Sequence, residues 1–128
     1  MHALRNVHAA LVPGGTLLDV HPIPPDEQVE AGGRILGRLD ESEFLATVDA
    51  VEDLLDEVVA DGLFDPVVEA ETDVLERFDT VTEVFEIVGE REGVSIPARV
   101  ARAVREAEPP IWLRERLALR VYRSSAGS

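Results

Sequence analysis

The sequence predicts an α/β fold, with a small mixed sheet of about three to four strands ending in an antiparallel pair, and about four helices. Three patterns carry this. Phe44, Val48, Val51, Leu55 and Val58 recur at spacings of four and three, the stripe of an amphipathic helix. Val68, Ala70, Thr72 and Val74 alternate with Glu69, Glu71 and Asp73, the period of a strand with one face in a core and the other polar. Residues 113–122 alternate as well, with Arg114, Arg116 and Arg120 on one face.

From the start of the chain, Leu4, Val7, His8 and Leu11 mark one face of a short helix stopped by Pro13-Gly14-Gly15. Residues 16–21 follow as a mostly buried strand, closed by Pro22, Pro24 and Pro25, which lack the N–H a ladder needs. Pro24 to Gly33 reads as a loop, and 34–39 as a short strand after Gly32-Gly33. Asp40 and Glu43 cap the long helix, whose outer face carries Asp49, Asp53, Asp56 and Glu57; Gly62 ends it. After the strand at 67–76, Thr80 and Glu83 form a capping box before Val81, Val84, Phe85 and Val88. Pro97 opens a further helix with Val100 and Val104 inward and Arg99, Arg102 and Arg105 outward, and Pro109-Pro110 closes it. If the final strand runs antiparallel to 67–76, its arginines oppose Glu69, Glu71 and Asp73. One domain over 1–123 with a frayed tail at 124–128 is expected.

Composition limits the chemistry. The formal charge is −14 and all 12 basic residues are arginine, so phosphate backbones and anionic lipid are poor partners and a Schiff-base lysine is excluded. Absence of cysteine removes disulfides, thiolate metal sites and a cysteine nucleophile. With neither a signal-peptide pattern nor a membrane-length apolar run, a cytoplasmic protein is expected.

The stretch from Leu4 to Leu18, with its Leu-Val-Pro-Gly-Gly-Thr-Leu-Leu centre, resembles the segment that enters the fifth strand of class I S-adenosylmethionine-dependent methyltransferases. Asp61-Gly62-Leu63-Phe64 sits where that family often carries Gly-Phe after its fifth helix. The resemblance implies the carboxy-terminal, substrate-side half of a Rossmann-like methyltransferase fold. In that family the last two strands form an antiparallel hairpin that inserts the final strand beside the fifth. The glycine-rich loop and acidic residue that hold the cofactor precede this kind of segment. Gly14-Gly15 and Gly32-Gly33 are not a G-x-G-x-x-G turn, so no residue here is assigned to S-adenosylmethionine. The chain alone is expected to bind no cofactor; S-adenosylmethionine enters only if a missing half or a partner completes it.

The candidate catalytic residues are Asp19 and His21, on one strand face at the carboxyl end where open α/β sheets place ligands. They can serve as a base, or simply satisfy each other near the strand end. His21 and Trp112 are the substrate-side candidates. His2 and His8 lack any H-E-x-x-H spacing, the acids from Asp49 to Asp61 lack a calcium-loop pattern, and Ser42 and Ser95 lack a nucleophile elbow, so neither a metal nor a serine hydrolase is expected. Three functional expectations remain: an incomplete methyltransferase, a non-catalytic module that forms a homodimer or joins a complementing subunit through the exposed edge of strand 16–21, and a truncated gene product.

Overall fold

The computed structural model describes residues 14–124. The helix expected at 3–11, with Pro13, lies outside the described residues. In chain order the elements are β1 (Thr16–Pro22), β2 (Gln28–Ala31), β3 (Arg34–Arg38), α1 (Ser42–Ala60), β4 (Phe64–Phe78), α2 (Val81–Gly89), α3 (Ala98–Glu106) and β5 (Ile111–Ser124). The strands form one mostly antiparallel sheet in the order β1-β5-β2-β3, with β4 also paired to β5. The α/β class holds. Five strands replace the expected three to four, three helices lie among the described residues, and the sheet is not a Rossmann-like parallel one.

The hydrogen bonds give the reason for this antiparallel sheet. Gly14 N–H donates to the Ser124 carbonyl at 3.0 Å and Ser124 N–H to that of Gly15 at 2.7 Å, while Ile23 N–H donates to Arg116 at 3.0 Å. Rising numbers on one side meet falling numbers on the other, so β1 and β5 are antiparallel. Ser124, expected in the tail, therefore ends a strand and is buried; residues 125–128 lie outside the described residues.

A second departure is β2, inside the segment expected as a loop. Gly32 and Gly33 have φ of 58° and 73°, the paired positive angles of a two-residue hairpin turn. The turn reverses the chain so that Ala31 pairs with Arg34 and Gln28 with Arg38, and on its other edge β2 pairs Ala31 with Ile111 and Gln28 with Arg114. Buried Val29 and Ala31 alternate with half-buried Gln28 and Glu30.

The described chain gathers into two compact units, one from residues up to His21, Thr47–Glu71 and Ala118 onward, the other from Pro22–Ala46 and Thr72–Leu117. In the first, Leu55, Val58, Phe64 and Tyr122 form the core, with Leu17, Val59 and Leu63 packed against it. In the second, Val29, Leu39, Phe78, Val84, Val100, Val104, Ile111 and Leu113 are among the buried residues. Fully burying a side chain of this size contributes about 1.5–3 kcal/mol. Along β5 the buried positions change parity, from Ile111 and Leu113 to Ala118, Tyr122 and Ser124. The single apolar face expected over 113–121 is thus replaced by two half-faces.

Helix ends follow the sequence closely. Asp40 Oδ1 accepts from the Ser42 N–H at 3.1 Å and from its hydroxyl at 2.7 Å, opening α1. At the other end Gly62, φ 79°, donates to Val59 O at 3.0 Å while Leu63 N–H donates to Val58 O at 3.2 Å, the paired bonds of a Schellman cap. Within α1, Leu45, Leu55 and Val58 are buried, whereas Val51 is exposed. Thr80 Oγ1 caps α2 by accepting from Glu83 N–H at 3.2 Å, and Glu83 returns to the Asp79 N–H at 3.3 Å. Replacing Thr80 with Ala should cost about 1 kcal/mol in a urea titration, the usual worth of an N-cap.

Strand β4 differs most from its expected burial. Only its terminal residues Phe64 and Phe78 are buried, and Val67, Val68, Val74 and Leu75 are all exposed. Its acidic face nevertheless meets the arginines of β5: Arg116 Nη1 lies 3.0 Å from Asp73 Oδ1, and Arg120 Nε 3.3 Å from Glu69 Oε1. Such exposed pairs contribute less than about 1 kcal/mol each and act mainly on register. Strand β1 is also more open than expected, since Leu18 and Val20 are exposed. No helix among the described residues is long and apolar enough to cross a membrane.

Candidate functional site

Strand periodicity places Asp19 and His21 on one face of β1, since residues two apart point the same way. His21 is buried, and its Nδ1 lies 3.0 Å from Asp19 Oδ2. The same nitrogen lies 3.2 Å from Oε1 of Glu52, which projects from the middle of α1. One imidazole nitrogen therefore faces two carboxylates, and a single N–H there can serve only one of them. The sequence singled out Asp19 and His21, and the fold brings them together. It did not single out Glu52, which stood within the acidic run assigned to solvent.

Two residues of β5 complete the surroundings. Arg120 Nη1 lies 3.4 Å from Glu52 Oε1 and 3.3 Å from Asp56 Oδ1, and it donates to the Tyr122 hydroxyl at 3.4 Å. Burial first, then a hydrogen bond and repulsion from Asp19, pushes the Glu52 carboxyl up to about 7, with Arg120 opposing the rise. Burial also pushes the Tyr122 phenol up. Beside Arg120 and Tyr122 opens a cleft of about 370 Å³, walled by Asp56, Val67, Val68 and Glu69 among others. A buried acid–imidazole cluster, linked to this cleft through Arg120, can move a proton or hold a cation.

Trp112 is half-buried in the other compact unit, with the Arg77 guanidinium 5.9 Å from its ring centroid. Its ring is capped by a cation. His2 and His8 lie outside the described residues.

A second buried polar cluster escaped the sequence reading entirely. Glu27 is almost fully buried and accepts from Arg91 Nη1, while its N–H donates to Glu41 Oε2 at 3.2 Å. Burial, then a hydrogen bond and repulsion from Glu27, raises the Glu41 carboxyl to about 8, and burial followed by Glu27 raises Glu115. Its members come from positions 27, 41, 91 and 115, so no local spacing announces them.

The cluster implies a pH dependence. Between the ordinary value near 4.5 and about 8, the folded protein holds a proton on Glu41 that the unfolded chain releases. Stability therefore falls as pH rises through that window. Glu41→Gln should flatten the fall, gaining about 1–3 kcal/mol on the wild type between pH 5 and pH 9 in urea titrations. Parallel curves for the two proteins would show that Glu41 does not titrate in this way.

No protein-family model, curated protein or solved structure matches this chain.

Proposed function

We propose that this chain is the substrate-side part of a class I S-adenosylmethionine-dependent methyltransferase, with the cofactor cradle supplied by residues outside this sequence. The observation that carries the reading is the strand order around β5. The last strand of the chain pairs with both β1 and β4 and runs antiparallel to β1, as the resemblance implies for an inserted final strand. Long helix α1 precedes β4 and ends in Gly62-Leu63-Phe64, again in the implied order. The β2–β3 hairpin between β1 and α1 departs from that order.

In this reading the cleft beside Arg120 and Tyr122 receives the methyl acceptor, and the Asp19–His21 pair, joined to the cleft through Glu52 and Arg120, accepts its proton. Methyl transfer depends chiefly on holding donor and acceptor in line, so the contribution of these residues is position and proton acceptance. The chain by itself holds no S-adenosylmethionine. Mapping the 5′ end of the native transcript tests the assignment. A glycine-rich strand–turn–helix segment should be encoded upstream in frame or in a co-transcribed neighbour; its absence from both would overturn the reading.

A second reading is favoured by the exposure of β1. It stands at the end of the strand order, and Leu18 and Val20 are 60% and 53% exposed. An edge with no further strand beside it among the described residues, and with apolar side chains, invites another strand, from a second copy or a complementing subunit. Light scattering at high protein concentration separates the readings: a dimer supports edge pairing between copies, and a strict monomer counts against it.

A further inference from the structure

We propose that Asp19, His21 and Glu52 form a binding site for a divalent transition-metal ion, best matched by Zn²⁺. Each offers one ligand atom, and these atoms all lie within 4.8 Å of one another. The Nδ1 to Oδ2 and Nδ1 to Oε1 separations are 3.0 and 3.2 Å. Tetrahedral ligands bound to one ion at about 2.0–2.2 Å stand roughly 3.3–3.6 Å apart, so these atoms need separate by only a few tenths of an ångström to form coordination edges.

A second observation points to an incompletely satisfied carboxylate. Glu52 Oε1 is buried and has no hydrogen-bond partner, although it faces the imidazole. Its basic neighbours, His21 Nδ1 at 3.2 Å and Arg120 Nη1 at 3.4 Å, are ion-pair contacts without hydrogen-bond geometry, and a cation shared with Asp19 and His21 would satisfy it better. Two carboxylates and one neutral imidazole also balance a doubly charged ion. The donor set narrows the choice. One nitrogen with two oxygens, and no thiolate in a chain without cysteine, suits Zn²⁺ or a neighbouring first-row ion better than Ca²⁺, which takes six to eight oxygens.

Three protein ligands leave positions for water or substrate, the pattern of a reactive rather than a purely structural site. The supports are rigid, since two ligands share strand β1 and the third lies inside α1. Arg120 is the opposing charge at 3.4 Å from Glu52, and it has Asp56 and Glu69 as alternative partners when an ion enters. Its guanidinium should weaken metal binding. The metal site rests on the geometry of the cluster and not on the methyltransferase reading, whose proton-accepting role for Asp19 and His21 a bound ion would replace.

The test is titration of the chelator-stripped full chain with Zn²⁺ by calorimetry and with Co²⁺ by visible absorption. One equivalent should bind, with a saturable Co²⁺ band and a Zn²⁺-dependent rise in Tm. Glu52→Gln and His21→Ala should each weaken binding at least about tenfold, and Arg120→Gln should tighten it. Circular dichroism checks folding, and Asp19→Asn replaces any variant that fails it. Absence of saturable binding by the wild type overturns the proposal. So does binding that survives in Glu52→Gln and His21→Ala, which would mark an adventitious surface ion.

Discussion

Gly37→Ala should destabilise the protein by about 3–5 kcal/mol, enough to consume much of the usual margin of a small domain. Gly37 sits in β3 opposite Val29, next to the register shift between Val29 and Glu30, with φ of 144°. That angle is open to glycine and strained by about 1–3 kcal/mol for an L side chain. An added Cβ would also stand 2.5 Å from Val100 Cγ2. Val100 is buried and β-branched on α3, so it has little rotamer freedom with which to retreat. Overpacking of this kind costs about 1–3 kcal/mol more. The double variant Gly37→Ala, Val100→Ala should remove the clash but keep the backbone strain, and so fail to restore the stability of Val100→Ala alone. Urea midpoints measure all three; a Gly37→Ala protein within about 1 kcal/mol of wild type would refute the packing described here.

Arg91→Ala should be the other severe change, with a cost that depends on pH. Arg91 donates to buried Glu27, lies 3.7 Å from Glu76, and its charge opposes the rise at Glu115. Removing one partner of a buried pair leaves an uncompensated charge, at about 3–5 kcal/mol for a fully buried case. The partial exposure of Arg91 reduces this to about 2–4 kcal/mol at pH 8. Without the guanidinium, the Glu115 carboxyl holds its proton further above its unfolded value. The deficit should therefore shrink as pH falls toward 5, where that proton stays bound. Equal deficits at pH 5 and pH 8 would show that the cluster does not titrate.

Local chemistry was legible in the sequence where it depends on neighbours in the chain. The Thr80–Glu83 cap, the Gly62 turn and the outward arginines of α3 all follow from spacing. The opposition of Arg116 to Asp73 and of Arg120 to Glu69 was also foreseeable, because two alternating strands of opposite charge select each other. Burial was less legible. Alternation in β4 suggests a half-buried strand, but burial depends on what packs above it, and its valines face solvent on both sides. The alternating pattern in β5 hides its change of parity, because both of its faces contain residues that can be buried. The short strand β2 was missed, although its paired glycines were recognised as a break; their positive angles make a hairpin rather than a loop.

The candidate site divides in the same way. Asp19 and His21 are two residues apart on one strand, so their shared face is a matter of geometry. Glu52 joins them from a helix 31 positions beyond His21, through a fold that the helical stripe alone does not specify. In sequence it is one acid among many; in the structure it is half-buried while Asp49, Asp53, Asp56 and Glu57 are exposed.

Calorimetry with S-adenosylmethionine tests the functional account most directly, performed on this chain alone and on the chain completed by the glycine-rich segment that the proposed reading requires. The account predicts no saturable heat at micromolar cofactor for the chain alone and one-to-one binding for the completed chain. Stoichiometric binding by the chain alone, or none by the completed chain, would contradict it.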